Sequence, residues 1–440
     1  MPTTHLSPAP PQPANRIVSL DQFRGYTVIG MLLVNFLGGF VACPKILRHS
    51  HDYVSYADTI MPQFLFAVGF AFRLTFGRHA ELQGTPVAYG RVVRRMLGLV
   101  LVALVVYAVP QRAENWQKLT EMTIWDIFGE PLKRNWFQTL MHIAVTALWL
   151  VPVIRARAMV RIGWMLGSAI AHVGLSYWFN FTWVNTAPNG IDGGPLAFLT
   201  WTIPAIVGTL ACDAVASAFS RSPSKIETEL ESQALKENPL GRDARLVYKA
   251  VPRPKLGQML TWAGFLMVLG YGFSCGTRFY DVPPEQIESL RTEKLAKHPV
   301  WPAADAIEAK FKSGAISEYL AEPPFVAPPG AEVRKWNYWM MSQRGGTISY
   351  LTFSAGFSLA LYVLFFVACD VYGLSLAFFR TFGTNALLAY VLHDLVENAI
   401  GRFIPNDSPG WYLTCGLSLF FAMTWLFVRH FERQGAYLRV

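Results

Sequence analysis

Long apolar runs, separated by polar segments, recur from one end of this chain to the other. A run of about 18 or more apolar residues is long enough to cross bilayer hydrocarbon as a helix. On that pattern the sequence predicts helices over 19–40, 58–77, 92–110, 135–154, 159–180, 196–218, 256–275, 347–369, 375–398 and 410–428. The expected fold is all-α: a polytopic integral membrane protein with about ten transmembrane helices. The two-residue alternation of an outer-membrane barrel is absent. Between the seventh and eighth runs lies 276–346, rich in proline and charge, which reads as a large extracytoplasmic insertion. Within it, DAIEAKFKSGAISEYL has the spacing of a short amphipathic helix. The expected organisation is a disordered Pro-rich N-terminus (1–15), a transmembrane core with spans one to seven (16–275), the insertion (276–346), and the last three spans (347–440).

Composition agrees with the pattern. Of 440 residues, 52% are apolar and only 15% charged, with a mean hydropathy of +0.29, which are values of membrane proteins. A net charge of +9 raises the question of nucleic acid, but its placement answers it. Arg73, Arg78, Arg91, Arg94 and Arg95 flank the loop after the second run, and Arg155, Arg157 and Arg161 fill the loop after the fourth. Eight more, from Arg221 to Lys255, follow the sixth, and Arg429, Arg433 and Arg439 follow the last. In a ten-span arrangement all lie on one side, which the positive-inside rule makes cytoplasmic. The sequence thus predicts a cell (inner) membrane protein with cytoplasmic N- and C-termini and no nucleic-acid partner. MPTTHLSPAPPQPANR has no apolar h-region, so no cleavable signal peptide is expected. The five cysteines are scattered without CxxC spacing, so neither a disulfide frame nor a metal site is expected.

Polar residues inside the apolar runs carry the candidate chemistry. Asp21 and Arg24 share a face at the cytoplasmic end of the first run, and Asn35 lies near its outer end. The second run mirrors this, with Asp58 at the outer end and Arg73 near the cytoplasm. The loop between them supplies His49 and His51. Singly, the charged residues also read as interfacial anchors and the histidines as solvated loop residues. Together, a His, an Asp and an Asn at one mouth supply a base, its orienter and an oxyanion donor. Asn385, Tyr390 and His393 of the ninth run are expected at the same mouth, with Glu397 four residues after His393 on one helix face, while Asp394 and Asn398 read first as a solvated helix terminus. Asp192-Gly-Gly-Pro reads first as a turn and secondly as a lid, and His142 and His172 as core residues.

These residues together resemble the heparan-α-glucosaminide N-acetyltransferase family and its bacterial relatives. The family's opening S-[LV]-D-x-F-R-G, preceded by an arginine and followed by an apolar run ending V-N, is matched by Arg16, Ser19, Leu20, Asp21, Phe23, Arg24, Gly25, Val34 and Asn35. Its D-x-x-F-P-x-F-x-F-x-x-G is matched through Asp58, Pro62, Phe64, Phe66 and Gly69, with Met61 in place of a phenylalanine. DGGPLAFLTWTIPAI is similar to the D-P-E-G-L-L-S-T-L-P-A-I pattern without its acidic third position. Gly383, Asn385, Ala386, Tyr390 and His393 match G-x-N-[SA] and Y-x-x-H.

The resemblance implies a transmembrane acyltransferase that takes acetyl-CoA from the cytoplasm and acetylates an amino sugar or glycan on the outer side. It implies cofactor-binding Arg24, Asp21 and Arg73, and catalytic His49, Asp58 and Asn35. On the substrate side it implies His51, Asp192, Asn385 and His393, with no metal. The His49-to-Asp58 spacing departs by one residue, which keeps His51 a rival for the base. Membrane lipid is the surrounding partner, and a homodimer is compatible with the sequence. The alternatives are a membrane transporter or lipid-handling protein, an O-acyltransferase acting on a polysaccharide or lipid hydroxyl, and a scaffold that kept the core.

Overall fold

A computed structural model of the chain describes residues 17–219, 253–313 and 318–438. The Pro-rich stretch 1–15, the basic segment 220–252 and residues 314–317 of the predicted amphipathic helix lie outside these. Among the described residues the fold is all-helical, with two isolated β-bridges, Asp281 to Arg334 and Leu295 to Trp336. The helices are α1 (Val18–Gly38), α2 (Tyr56–Gln83), α3 (Thr85–Val106), α4 (Trp116–Glu121), α5 (Ile124–Glu130), α6 (Thr139–Leu150), α7 (Ala158–Trp178) and α8 (Asn180–Asn185). They continue with α9 (Phe198–Phe219), α10 (Arg253–Ser274), α11 (Ala304–Ser313), α12 (Ile348–Phe366), α13 (Ala377–Thr384), α14 (Ala386–Gly401) and α15 (Gly410–Arg433).

Helix occurs at each of the ten predicted places, but among the described residues six helices are long and apolar enough to cross a membrane by themselves. A seventh span results if the bent pair 124–135 and 139–153, turned by 88°, is counted as one. The shortfall from ten has physical causes. Asp21, Gln22, Arg24 and Asn35 dilute α1, and Arg91, Arg94 and Arg95 occupy the first half of α3. The ninth run breaks at Asn385 into helices of 8 and 16 residues, each shorter than the ~20 a span needs. Apolar side chains such as Val105, Ile170, Val268 and Leu426 point outward and are 59–84% exposed, as lipid-facing positions require.

Between apolar helices in a membrane, close backbone approach replaces the hydrophobic drive. The α2–α9 seam is built this way. A Cβ on Gly69 would lie 1.9 Å from the Ala205 carbonyl oxygen, and one on Gly208 would lie 2.1 Å from that of Phe66. Around this seam Phe66, Phe70, Trp201, Tyr350, Tyr362 and Phe366 form the main core, each fully buried. The start of α1 is tied to a distant element: the Asp370 carboxylate accepts from the amides of Val18 and Ser19, both at 3.2 Å, satisfying orphan donors at the helix N-terminus.

Arg161 is not the loop residue the sequence reading made it. It lies in the first turn of α7, 1% exposed. Its Nη1 donates to Thr209 Oγ1 (2.7 Å) and its Nη2 to the Asp213 carboxylate. Arg73 Nε donates to the same carboxylate at 2.8 Å. The described residues of 276–346 are tied to the bundle through side chains and backbone. Arg334, fully buried, pairs with Asp281 (2.6 Å) and Glu322. The Tyr338 hydroxyl bonds His172 Nδ1 on α7 at 2.9 Å, and the Phe325 amide donates to the Val54 carbonyl at 3.1 Å, next to α2.

Candidate active site

The local sequence around Asp58 explains its position. Ser55-x-x-Asp58 is a capping box at the start of α2: the Asp58 amide donates to Ser55 Oγ, and the Ser55 amide donates to Asp58 Oδ2 at 2.9 Å. The Ser55 hydroxyl and the Ser50 amide also donate to Oδ2, at 2.9 and 3.2 Å. The carboxylate is thus fixed, almost fully buried, with Oδ1 left for His49 Nδ1 at 2.9 Å. Pro62 has no N–H for the Asp58 carbonyl four residues back. The Tyr350 hydroxyl of α12 donates there instead, at 2.6 Å.

A second acidic group arrives from a strained turn. Asp192 has φ +52°, followed by Gly193 at +85° and Gly194 at +64°. Gly193 meets Gly346 (φ +56°) backbone to backbone, since a Cβ on Gly193 would sit 3.0 Å from the Gly346 Cα. Only glycine permits that approach at these angles. The contact sets Asp192 beside the segment before α12, where Gln343 Nε2 donates to Asp192 Oδ1 at 2.7 Å. The Gln343 side chain also favours the protonated form of the His49 ring. Gln343 was not anticipated from sequence; no local pattern marks it, because its partner lies 151 residues away.

These groups face a cavity of about 400 Å³ lined by Asn35, His49, His51, Asp192, Gln343 and Tyr390, with Met31, Ile60, Met61 and Phe64 as its apolar floor. Arg134 and Arg344 complete the wall. Asn35 Nδ2 bonds His393 Nε2 at 3.3 Å; the other ring nitrogen of the buried His393 bonds the Tyr390 carbonyl. The Tyr390 hydroxyl bonds that of Tyr107 at 2.6 Å.

The two loop histidines differ electrostatically. Burial works against protonation of His49, but the Asp58 hydrogen bond and charge, aided by Asp192, outweigh it and hold the ring above the ordinary imidazole value. Its 42% accessible side-chain surface is surface it presents to the cavity. His51 is pushed down to about 4 by burial and by the Arg344 charge. Burial raises Asp192 to about 6, against the opposing pull of His49 and Gln343.

Not every predicted site residue is found here. Asp21 and Arg24 lie toward the other end of α1, Arg24 roughly 16 Å of helix from Asn35. Arg73 lies roughly 22 Å along α2 from Asp58. Asn385 was expected at the mouth, but its side chain holds the C-terminal segment: Nδ2 donates to Ala436 O (3.1 Å), and Oδ1 accepts from the Leu438 amide (3.2 Å). The reason is the break between α13 and α14, which turns Asn385 away from His393. His393, Asp394 and Glu397 bring three metal-competent atoms within 4.8 Å of one another, although both His393 nitrogens already have protein partners. His142 and His172, read as core residues, are fully buried.

A family model described as heparan-alpha-glucosaminide N-acetyltransferase, catalytic, matches residues 16–248, more than half of the chain. The chain belongs to this family. No curated protein matches it. The stretch matching the N-acetyltransferase catalytic model contains Asn35, His49, Asp58, Arg73 and Asp192. Gln343, Arg344, Tyr390 and His393 lie beyond it, so the acetyltransferase-family region alone does not complete the cavity. Family and apolar helices together make this an integral membrane protein of acetyltransferase kind.

Proposed function

We propose that this protein moves an acetyl group from cytoplasmic acetyl-CoA to an amino sugar or glycan acceptor on the outer side of an inner membrane. The core, 16–275 and 347–440, would form about ten passes, with both termini cytoplasmic and 276–346 as an outer cap. The observation that carries this reading is the His49–Asp58 pair facing a cavity that Asn35 also lines. In it, His49 takes the proton of the acceptor amine as the nitrogen attacks the thioester carbonyl, and Asp58 holds the ring and stabilises the imidazolium. Asn35 has a second N–H beyond the one directed at His393, available for the developing oxyanion. A hydroxyl acceptor is served by the same geometry. Collapse of the tetrahedral species releases CoA thiolate, which takes the proton from His49.

At the inner end, Arg24 with Asp21, and Arg73, are the residues proposed for CoA. Arg73 and Arg161 share the single Asp213 carboxylate, so one positive charge is left over to meet a phosphate. The direct test uses proteoliposomes with labelled acetyl-CoA outside and a panel of amino sugars and glycans inside. Label should appear in the enclosed acceptor. If intact, folded protein acetylates none of the panel from either side, the reading fails.

The pH profile gives a second check. The neutral form of His49 is the base, so transfer rises with pH through the raised His49 pKa. Asp58→Asn removes the charge and the bond that favour imidazolium, so the acid limb moves to lower pH. Maximal transfer falls roughly 10- to 100-fold as the ring loses its orienter. A limb moving to higher pH would contradict the pairing.

A further inference from the structure

The cavity holds more positive charge than acetyl transfer uses. Arg134 and Arg344 both line it, near His51. Arg134 is anchored by one hydrogen bond, from Nη1 to the Asn189 carbonyl at 3.0 Å. The Arg344 guanidinium lies over the Trp336 ring, 5.8 Å from its centre. Among the described residues neither arginine makes an ion pair with a carboxylate. Asp52 acts on Arg344 only at longer range, and the two arginines repel each other. The carboxylates nearest the chemistry are committed elsewhere: Asp58 to His49, Ser50 and Ser55, and Asp192 to Gln343.

Two partly buried guanidinium groups with no carboxylate in ion-pair contact among the described residues are costly to hold together. Their planar forks match oxyanions. Both arginines act on His51, whereas the charges acting on His49 come from Asp58 and Asp192, which puts the basic groups on the His51 side of the cavity.

We infer that Arg134 and Arg344 form a phosphate-binding subsite in the acceptor cavity, so that the acceptor is a sugar carrying a phosphate on the side away from the acetylated group. A phosphate monoester carries about −1.5 to −2 at neutral pH, which two guanidinium groups neutralise. A cavity of about 400 Å³ is in the range of small-molecule sites and suits a hexosamine phosphate. The phosphate belongs either to a soluble sugar phosphate or to a lipid-linked one. The inference rests on the proposed acceptor side of the cavity and adds the chemical class of the acceptor.

The test reads binding, without acetyl-CoA. Labelled glucosamine 6-phosphate and glucosamine are equilibrated with the detergent-purified full chain at neutral pH. The phosphorylated sugar should bind about tenfold tighter or more. That preference should vanish in R134Q/R344Q and return in part in R134K/R344K, which keeps the charge. Each single Gln variant should lose part of it, which carries the test if the double variant does not fold. Inorganic phosphate should compete. Competition instead by phosphatidylcholine vesicles carrying a polyprenyl-phosphate sugar, and not by the soluble anion, supports the subsite and identifies its lipid-linked source. Equal binding of the two sugars by wild type, or a preference that survives R134Q/R344Q, overturns the inference. A chain that binds sugar phosphate through both arginines yet transfers no acetyl group keeps this subsite and refutes the acetyl-transfer reading alone.

Discussion

His49→Ala is expected to lower acetyl transfer by about three orders of magnitude or more, the scale at which a general base and its alignment act, while CoA still binds. His51→Ala should cost less than about tenfold. Both histidines border one cavity, but only His49 has a carboxylate on one ring nitrogen, which fixes its tautomer and favours the proton it must accept. His51, pushed down to about 4 by burial and Arg344, is neutral at pH 7 but too weak a base to hold a proton in the transition state. Both variants belong in one transfer assay with CoA binding measured in parallel. Full loss in His51→Ala with near-wild-type turnover in His49→Ala would hand the role to His51.

The largest structural effect is expected at the α2–α9 seam. Gly208→Ala places a methyl carbon 2.1 Å from the Phe66 carbonyl oxygen and 3.0 Å from the Phe70 amide nitrogen. Backbone cannot move aside as a side-chain tip can. The cost should exceed the ~1–3 kcal/mol typical of overpacking and separate the two helices that hold Asp58 and Asp192 in place. Gly167→Ala, on α7 with nothing within 4 Å of the added carbon, should be close to neutral. Thermal unfolding and monodispersity in detergent separate the two. Equal stability of both variants would mean that the seam is looser than described.

Legibility followed the range of the interaction. Asp58 and His49 are nine residues apart, so a loop histidine beside a helix start is a readable partner, while the residues alone leave His51 a rival for it. The Ser55–Asp58 capping box is equally local, its spacing present in the sequence itself. Gln343 and Arg344 were invisible because what marks them is a cavity shared with distant segments, such as Asp192, 151 residues before Gln343. Arg161 was misplaced because a helix start and a basic loop look alike; its partner Asp213 sits inside an apolar run. Asn385 was assigned to the mouth on the assumption that the ninth run is one straight helix, and the break at that residue sends its side chain to the C-terminal segment instead. Span number suffered likewise: hydropathy finds helices, while charge, bends and breaks decide which of them are uninterrupted.

The hydroxyl of Tyr350 on the carbonyl of Asp58 ties the fates of two positions that no local pattern joins. Pro62 leaves that carbonyl without its helical donor, and Tyr350, 288 residues later in the chain, supplies the replacement. Remove the hydroxyl and a buried carbonyl beside the His49–Asp58 pair has nothing to accept from. A carbonyl oxygen has two lone pairs, so an N–H restored at 62 adds a donor without displacing the hydroxyl. Loss of the Tyr350 hydroxyl is therefore costly while Pro62 is in place and milder once position 62 carries an N–H.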